Sequence, residues 1–173
     1  MKIFLCGFMG AGKTHLMKKL QTECGQKWDF IDLDDWLFER LKTPQDGHLG
    51  DCIQHLGWNK FRAMEKSSIL EILTWKKNVC VSLGGGALNQ DTLSAIKQNV
   101  GTLLIWVNTP IEICLKRIRG DLVRPLAKKS DQELNALYLE RLPFYQQSHI
   151  QADDIDQSMN DLEAFVRKHV GSA

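Results

Sequence analysis

Residues 7–14 constrain this chain more than any other segment. They read Gly-Phe-Met-Gly-Ala-Gly-Lys-Thr and complete the pattern Gly-x-x-x-x-Gly-Lys-Ser/Thr. A short apolar run precedes them at residues 3–6, and a helix-like segment follows at residues 15–23. Strand, glycine loop and helix, in that order, are the context in which this pattern holds phosphate, because backbone N–H groups and the helix N-terminus converge there. The segment therefore predicts a nucleoside triphosphate site rather than a chance glycine-rich turn.

Each residue type in the loop has a distinct expected task. Lys13 is expected to reach the β- and γ-phosphates, and the Thr14 hydroxyl is expected to bind Mg²⁺, which would accompany the triphosphate as the cofactor. The predicted nucleotide-binding residues of the loop are Gly10, Ala11, Gly12, Lys13, Thr14 and His15.

Length and composition narrow the remaining possibilities. The 173 residues fit one domain covering residues 1–173, and 43% hydrophobic with 25% charged residues is typical of a globular protein. The net charge of +1 favours neither nucleic acid nor an anionic membrane as a partner. No apolar run approaches the roughly 18 residues of a membrane-spanning helix, and the first residues do not resemble a signal peptide. We expect a monomer that acts on small molecules.

The five cysteines show no pairing pattern and no metal-ligand spacing with histidine, which favours the reducing cytoplasm. They are Cys6, Cys24, Cys52, Cys80 and Cys114.

Apolar runs alternate with helix-like segments along the chain. Runs suited to buried parallel strands lie at residues 3–6, 30–33, 79–83 and 103–107, with a weaker one near residue 150. Helices are predicted at residues 15–23, 60–76, 91–98, 111–118, 131–146 and 159–169. This alternation predicts an α/β fold with a parallel sheet covered by helices on both faces.

Two segments depart from the alternation. Residues 34–62 form a long excursion after the second strand, and residues 119–130 are short, polar and basic. Ligands of α/β sheets bind beyond the carboxyl ends of the strands. We therefore expect these segments to be a substrate-binding arm and a mobile lid.

Acidic residues end the second strand run. If the strand includes Asp32 and Asp34, their carboxylates share a face and point into one cleft. The alternative is that an aspartate caps the next helix, which we expect of Asp35 and leave open for Asp34. Ser82 stands where many enzymes with this loop keep a metal-supporting aspartate, so metal binding is expected to depend on Thr14, water and Asp32.

Three glycines, Gly84 to Gly86, directly follow the third strand run. Without side chains, their backbone N–H groups can approach a ligand closely. A glycine run by itself could be only a turn, but its place at the carboxyl end of a strand favours ligand binding.

The motifs together resemble those of shikimate kinases. In chain order they are residues 7–14, Asp32-x-Asp34, Phe61-Arg62-x-x-Glu65, Gly84-Gly85-Gly86, Arg124-Pro125-Leu126 and Arg141-x-Pro143-x-Tyr145. The resemblance extends from residue 2 to about residue 146. Very many enzymes share the phosphate loop alone, whereas the full combination is far more specific.

The resemblance implies a fold and a reaction. The fold is that of nucleoside monophosphate kinases, a three-layer sandwich with a five-stranded parallel sheet, a substrate-binding arm and a mobile lid. The reaction is transfer of the γ-phosphate of ATP to the 3-hydroxyl of shikimate, which gives 3-phosphoshikimate and ADP in the chorismate route to aromatic amino acids.

The resemblance also implies roles on the acceptor side. Asp34 looks like the residue that binds the shikimate hydroxyls and orients the reacting one. Arg62 and Arg141 are similar to the pair that grips the shikimate carboxylate, with Glu65 holding Arg62. Residues 84–86 would offer backbone to the substrate.

On the nucleotide side, Asp32 resembles the carboxylate that supports Mg²⁺ through water. Arg124 resembles the lid arginine that closes over the phosphates, and Arg117 the residue that stacks on adenine. The implied catalytic residues are Lys13, Asp34 and Arg124.

The arm departs most from the family pattern. Trp58 stands where the family usually has glutamate, and we expect it only to pack against its helix without loss of activity. Two alternatives remain: a related kinase for another small molecule such as gluconate, and a catalytically idle relative that binds nucleotide or a partner. The presence of Lys13, Asp34 and Arg124 argues against the idle relative.

Overall fold

Among the described residues, five short strands form one parallel sheet. The computed structural model describes residues 1–24, 27–119 and 129–153. The strands are β1 (Lys2–Cys6), β2 (Asp29–Asp32), β3 (Val79–Ser82), β4 (Thr102–Val107) and β5 (Ile150–Ala152). Their spatial order is β2-β3-β1-β4-β5, and every neighbouring pair is parallel. The predicted five-stranded parallel sheet is therefore confirmed.

Helices cover both faces of this sheet. In the described part of the chain they are α1 (Lys13–Cys24), α2 (Leu33–Leu41), α3 (Leu49–Leu56), α4 (Trp58–Leu73), α5 (Gln90–Gln98), α6 (Ile111–Ile118) and α7 (Asp131–Tyr145). Every residue of β1 and β3 is buried. Because successive side chains of a strand point to opposite faces, burial of all of them requires a layer on each side. None of the helices in the described ranges is long and apolar enough to cross a membrane.

The strand register brings three connections to one edge of the sheet. Leu5 of β1 lies opposite Ser82 of β3, and Asp32 of β2 lies opposite the same Ser82. The three neighbouring strands therefore end almost level. The segments that leave them, which are the phosphate loop, the arm and the glycine triplet, start side by side.

The arm is more regular than the sequence indicated, since it contains α2, α3 and the first turn of α4. His48 and Asp51 cap the start of α3 reciprocally: the Asp51 amide donates to the His48 side chain, and the Asp51 carboxylate accepts from the His48 amide. Gly57 separates α3 from α4 with φ of 82°, a conformation that favours glycine.

The end of β2 corrects two predictions. The strand stops at Asp32, and Leu33 already belongs to α2. The Asp32 carboxylate accepts the amide of Asp34 at 3.1 Å, so Asp32 caps the helix and Asp35 does not. The predicted strand face shared by Asp32 and Asp34 does not exist, because the cap turns the chain into a helix between them.

Some predictions fall beyond the description. The predicted terminal helix at residues 159–169, nearly all of the predicted lid and Arg124 lie outside the described residues. The other predicted helices lie within a few residues of those observed. Cys6, Cys52, Cys80 and Cys114 are buried, and none of these four forms a disulfide.

Candidate active site

The phosphate loop joins β1 to α1 and is shaped by glycine. Gly10 and Gly12 have φ of 77° and 101°, where other residues are strained. At Gly10 space is also short, because a Cβ would lie 2.8 Å from the Cys114 carbonyl oxygen. The loop backbone is thus held in a curl against α6.

Basic side chains hold this loop from two sides. Lys13 is buried, and its Nζ donates to the carbonyls of Gly7 and Phe8, each at 3.0 Å. Arg117 of α6 donates from Nη1 to the Gly10 carbonyl at 2.8 Å. His15 is exposed on the first turn of α1. Two of the predicted nucleotide-side cations therefore touch the loop itself.

Thr14 and Asp32 form a pair of hard oxygen donors beside the loop. The Thr14 hydroxyl donates to Oδ2 of Asp32 at 2.9 Å, while Oδ1 caps α2. Across the described ranges, no group of three or more His, Cys, Asp or Glu residues could hold a metal by itself. Mg²⁺ usually takes one or two protein oxygens and completes its shell with water and substrate phosphates, and the Thr14–Asp32 pair suits that arrangement.

A pocket of about 420 Å³ opens next to the loop. Its volume suits a small metabolite. Lining residues come from the loop, the arm, α4, the glycine triplet and α7. They are Met9, Asp34, Asp35, Phe38, Gly47, His48, Leu49, Gly50, Ile53, Trp58, Phe61, Arg62, Glu65, Gly84, Gly85, Gly86 and Arg141.

The glycine triplet lets charged side chains approach where any larger residue would block them. A Cβ on Gly84 would lie 2.6 Å from Oδ1 of Asp34 and 2.9 Å from Oε1 of Glu65. A Cβ on Gly86 would lie 2.6 Å from Nη2 of Arg62 and 2.8 Å from Nη2 of Arg141. Two carboxylates therefore crowd one end of the triplet and two guanidinium groups the other.

Glu65 links the acidic and basic ends. It is 1% exposed, and its Oε2 pairs with Nη1 of Arg62, one helical turn earlier on α4. Burial raises the pKa of Glu65 to about 7, although the charge of Arg62 lowers it. Burial outweighs the ion pair because the charged form loses most of its water.

Polar atoms in the pocket lack protein partners. Within the described residues, Oε1 of Glu65 and Nη1 of Arg141 are buried without a hydrogen bond. Burial lowers the pKa of Arg141, and the neighbouring charge of Arg62 lowers it further. Buried polar groups nearly always have hydrogen-bond partners. A ligand with anionic and hydroxyl groups would supply the partners that these two atoms lack.

Tyr145 holds the backbone of the glycine triplet through a hydrogen bond. Its hydroxyl donates to the Gly85 carbonyl at 2.6 Å, and its ring stacks on Trp106 with a centroid distance of 6.2 Å. Tyr145 is 1% exposed, so this contact is rigidly packed. The sequence motif contained Tyr145 but gave it no task.

The structure brings most of the predicted site together. Asp34, Arg62, residues 84–86 and Arg141 line one pocket, with Lys13 and Thr14 on the adjoining loop. The arm walls of the pocket were missed by the sequence analysis: Phe38, His48, Leu49, Ile53 and Trp58. One usable signal was the His-x-x-Asp capping pattern at residues 48–51, which marks the start of a helix inside the arm.

Comparison with known proteins shows that the chain is similar to shikimate kinases. The family model described as shikimate kinase matches residues 9–170 of the chain. A shikimate kinase of Persephonella marina is 34% identical over 86% of this chain and 85% of its own length. Another from Moorella thermoacetica is 30% identical over 87% of this chain and 83% of its own length.

Solved structures agree as well. The shikimate kinase from Acinetobacter baumannii in complex with shikimate has a TM-score of 0.81 at 26% identity, covering 96% of this chain and 93% of that chain. The shikimate kinase from Bacteroides thetaiotaomicron has a TM-score of 0.79 at 28% identity, covering 96% of this chain and 98% of that chain.

The burial of Glu65 predicts a pH-dependent contribution to stability. Its native pKa of about 7 exceeds the value of 4.5 for an unburied glutamate, so the folded state binds more protons between these pH values. This contribution to the free energy of unfolding is on the order of 3 kcal/mol. It is fully present below pH 4.5 and is lost as pH rises through 7.

Urea unfolding from pH 4 to 8 measures this effect, with Glu65→Gln as the neutral comparison. The difference in unfolding free energy between wild type and variant should fall across that window. Glu39→Gln, which alters an exposed carboxylate of α2, should show no such fall. A flat difference for Glu65→Gln would contradict the raised pKa.

Proposed function

The chain belongs to the shikimate kinase family, and from that premise we propose that it transfers the γ-phosphate of ATP to the 3-hydroxyl of shikimate. The products are 3-phosphoshikimate and ADP. Members of the family are ATP-dependent phosphotransferases, so the predicted family, fold class and enzyme class are confirmed. The tasks of individual residues are the proposal developed below.

The observation that carries the proposal is the division of charge around the glycine triplet. Shikimate carries one carboxylate on a ring with several hydroxyls. Arg62 and Arg141, whose Nη2 atoms converge on Gly86, suit the carboxylate because the guanidinium fork matches it geometrically. Asp34, at the Gly84 end, suits the hydroxyls as an acceptor.

In the proposed reaction, Asp34 orients the 3-hydroxyl and accepts its proton. The hydroxyl oxygen forms a bond to the γ-phosphorus while the bond from that phosphorus to the β,γ-bridging oxygen breaks, and ADP leaves with the electron pair. Little covalent work falls to the protein in such a transfer, so positioning and charge stabilisation dominate catalysis.

Lys13 supplies charge on the nucleotide side. It is held by loop carbonyls at a point where the β- and γ-phosphates would lie, and there it stabilises negative charge on the transferring group. Mg²⁺, when bound through Thr14 and through water to Asp32, would neutralise phosphate charge. Arg117 is proposed to stack on the adenine ring. Arg124, which lies outside the described residues, is proposed to close over the phosphates with the lid.

Other predicted properties accompany this function. We propose that the protein works as a cytoplasmic monomer on small molecules, with neither nucleic acid nor membrane as a partner. The pocket supports the small-molecule acceptor, because a volume of about 420 Å³ suits a small metabolite. A gluconate-type kinase remains the competing assignment, since gluconate is also an anionic polyol.

A coupled assay of ADP release tests the proposed function. Mg·ATP is supplied alone, with shikimate and with gluconate, and the product of the shikimate reaction is identified by mass and by phosphorus NMR. We expect release that depends on shikimate and gives the 3-phosphate. Release that depends only on gluconate, or none with either acceptor from a protein that binds ATP, would overturn the assignment.

The proposed task of Asp34 predicts that Asp34→Asn retains ATP binding and loses nearly all turnover. The amide keeps the shape of the side chain but is a far weaker base, so a loss of at least about a hundredfold in kcat is expected. Glu39→Gln is the matched control because it neutralises an exposed carboxylate of the same helix outside the pocket. A folded Asp34→Asn enzyme with near-normal kcat would remove Asp34 from this task.

Lys13→Met should reduce the rate by at least about a hundredfold, because a charge directed at the transferring phosphate is withdrawn. Lys18→Met removes a charge from the exposed side of the same helix and should leave the rate near that of the wild type. Steady-state kinetics with saturating shikimate measure both variants. Equal rates for the two would refute the phosphate-loop assignment.

A further inference from the structure

Trp58 occupies a place in the pocket that the sequence analysis treated as simple packing. It is the first residue of α4, and Gly57 before it takes the conformation that lets the helix start there. The residue is 43% exposed although it lines the pocket. A large aromatic ring left this open adds little to the core, so packing alone explains it poorly.

The ring lies beside the guanidinium group of Arg62. Trp58 and Arg62 are four residues apart on α4, which places their side chains on one face of the helix. The Cζ atom of Arg62 lies 5.0 Å from the centroid of the Trp58 ring, within the range of a cation–π contact. The ring of Phe61 lies beside the same guanidinium group, with its centroid 5.5 Å from the Cζ atom of Arg62. Phe61 also makes an edge contact with the Trp58 ring.

Arg62 therefore has a different neighbour on each side. Glu65 holds its Nη1, the two rings flank the guanidinium group, and Nη2 lies beside Gly86 near the end of Arg141. The Arg62 side chain is still 31% exposed, so water competes for it. Long arginine side chains lose rotamer freedom when they are held in one geometry, and a ring that restricts them beforehand lowers that cost on binding.

The ion pair between Glu65 and Arg62 depends on pH, because the Glu65 carboxylate loses its charge when it binds a proton. Its pKa of about 7 leaves it partly protonated near neutral pH. The contact with the Trp58 ring does not depend on that proton.

We propose that Trp58 is a positioning residue of the acceptor site, which holds Arg62 so that its N–H groups and those of Arg141 meet the carboxylate of the acceptor. The inference rests on the proposed function, because shikimate is the acceptor whose carboxylate is held. It predicts an effect on acceptor binding, with little effect on the chemical step or on ATP.

Steady-state kinetics of Trp58→Ala and Trp58→Phe test this. We expect Trp58→Ala to raise the KM for shikimate about tenfold, with kcat within about twofold and the KM for ATP unchanged. Trp58→Phe keeps a ring beside Arg62 and should restore most of the loss. A general weakening of α4 would instead lower kcat and stability for both variants.

Trp75 provides a matched control within the same chain. Its ring has a comparable cation–π contact, 4.4 Å to Nζ of Lys77, but it does not line the pocket. Trp75→Ala should therefore leave the KM for shikimate unchanged. A rise equal to that of Trp58→Ala would show that loss of any such contact has the same effect, and it would overturn the inference.

Fluorescence gives a readout that is independent of turnover. Titration with shikimate, without nucleotide, should change the tryptophan emission of the wild type and of Trp75→Phe, because binding covers the open Trp58 ring. The change should be absent in Trp58→Phe. Its persistence in Trp58→Phe would contradict the proposed contact.

The kinetic outcomes separate the two proposals. A wild type that releases no ADP with shikimate would overturn the proposed function and the inference together. An active wild type whose Trp58→Ala variant has an unchanged KM for shikimate would overturn the task of Trp58 and leave the proposed function standing.

Discussion

The acceptor pocket depends on the absence of side chains at residues 84–86. Asp34 and Glu65 reach one end of this triplet, and Arg62 and Arg141 reach the other, at distances that even a methyl group would prevent. Because β3 lies between β1 and β2, both the phosphate loop and the arm can reach its carboxyl end, where the glycine triplet has no side chains. The close approach of opposite charges in one small pocket follows from that central position.

This arrangement leaves polar groups in the pocket that have no hydrogen-bond partner within the described part of the fold. Oε1 of Glu65 and Nη1 of Arg141 are buried without hydrogen-bond partners among the described residues. Burial raises the pKa of Glu65 and lowers the pKa of Arg141, so in both residues it favours the neutral form. Such groups cost free energy in the folded protein. An acceptor that carries a carboxylate and hydroxyls would offset this cost on binding, so selectivity and stability are opposed in the same residues.

The sequence predicted the sheet and the charged residues of the pocket better than its walls. Buried strands are continuous apolar runs and the motif residues have fixed chemistry, so both can be recognised from the local sequence. The end of β2 could not, because an aspartate that caps a helix and one that ends a strand look alike until the Asp32–Asp34 hydrogen bond is seen. The contact between Trp58 and Arg62 was also hidden, since the spacing of four residues has meaning only once α4 is known to start at Trp58.

The two halves of the site are joined by a close approach of backbone and by contacts between side chains. A Cβ on Gly85 would lie 3.2 Å from the Met9 amide nitrogen, so the triplet lies almost against the phosphate loop. Phe8 of that loop packs edge-on against Tyr138, and the Arg141 guanidinium lies 5.8 Å from its ring centroid. Tyr145, on the same helix as Arg141, holds the Gly85 carbonyl. A shift of the loop on binding nucleotide would therefore press directly on the residues proposed to hold the acceptor, since close-packed interiors transmit small displacements.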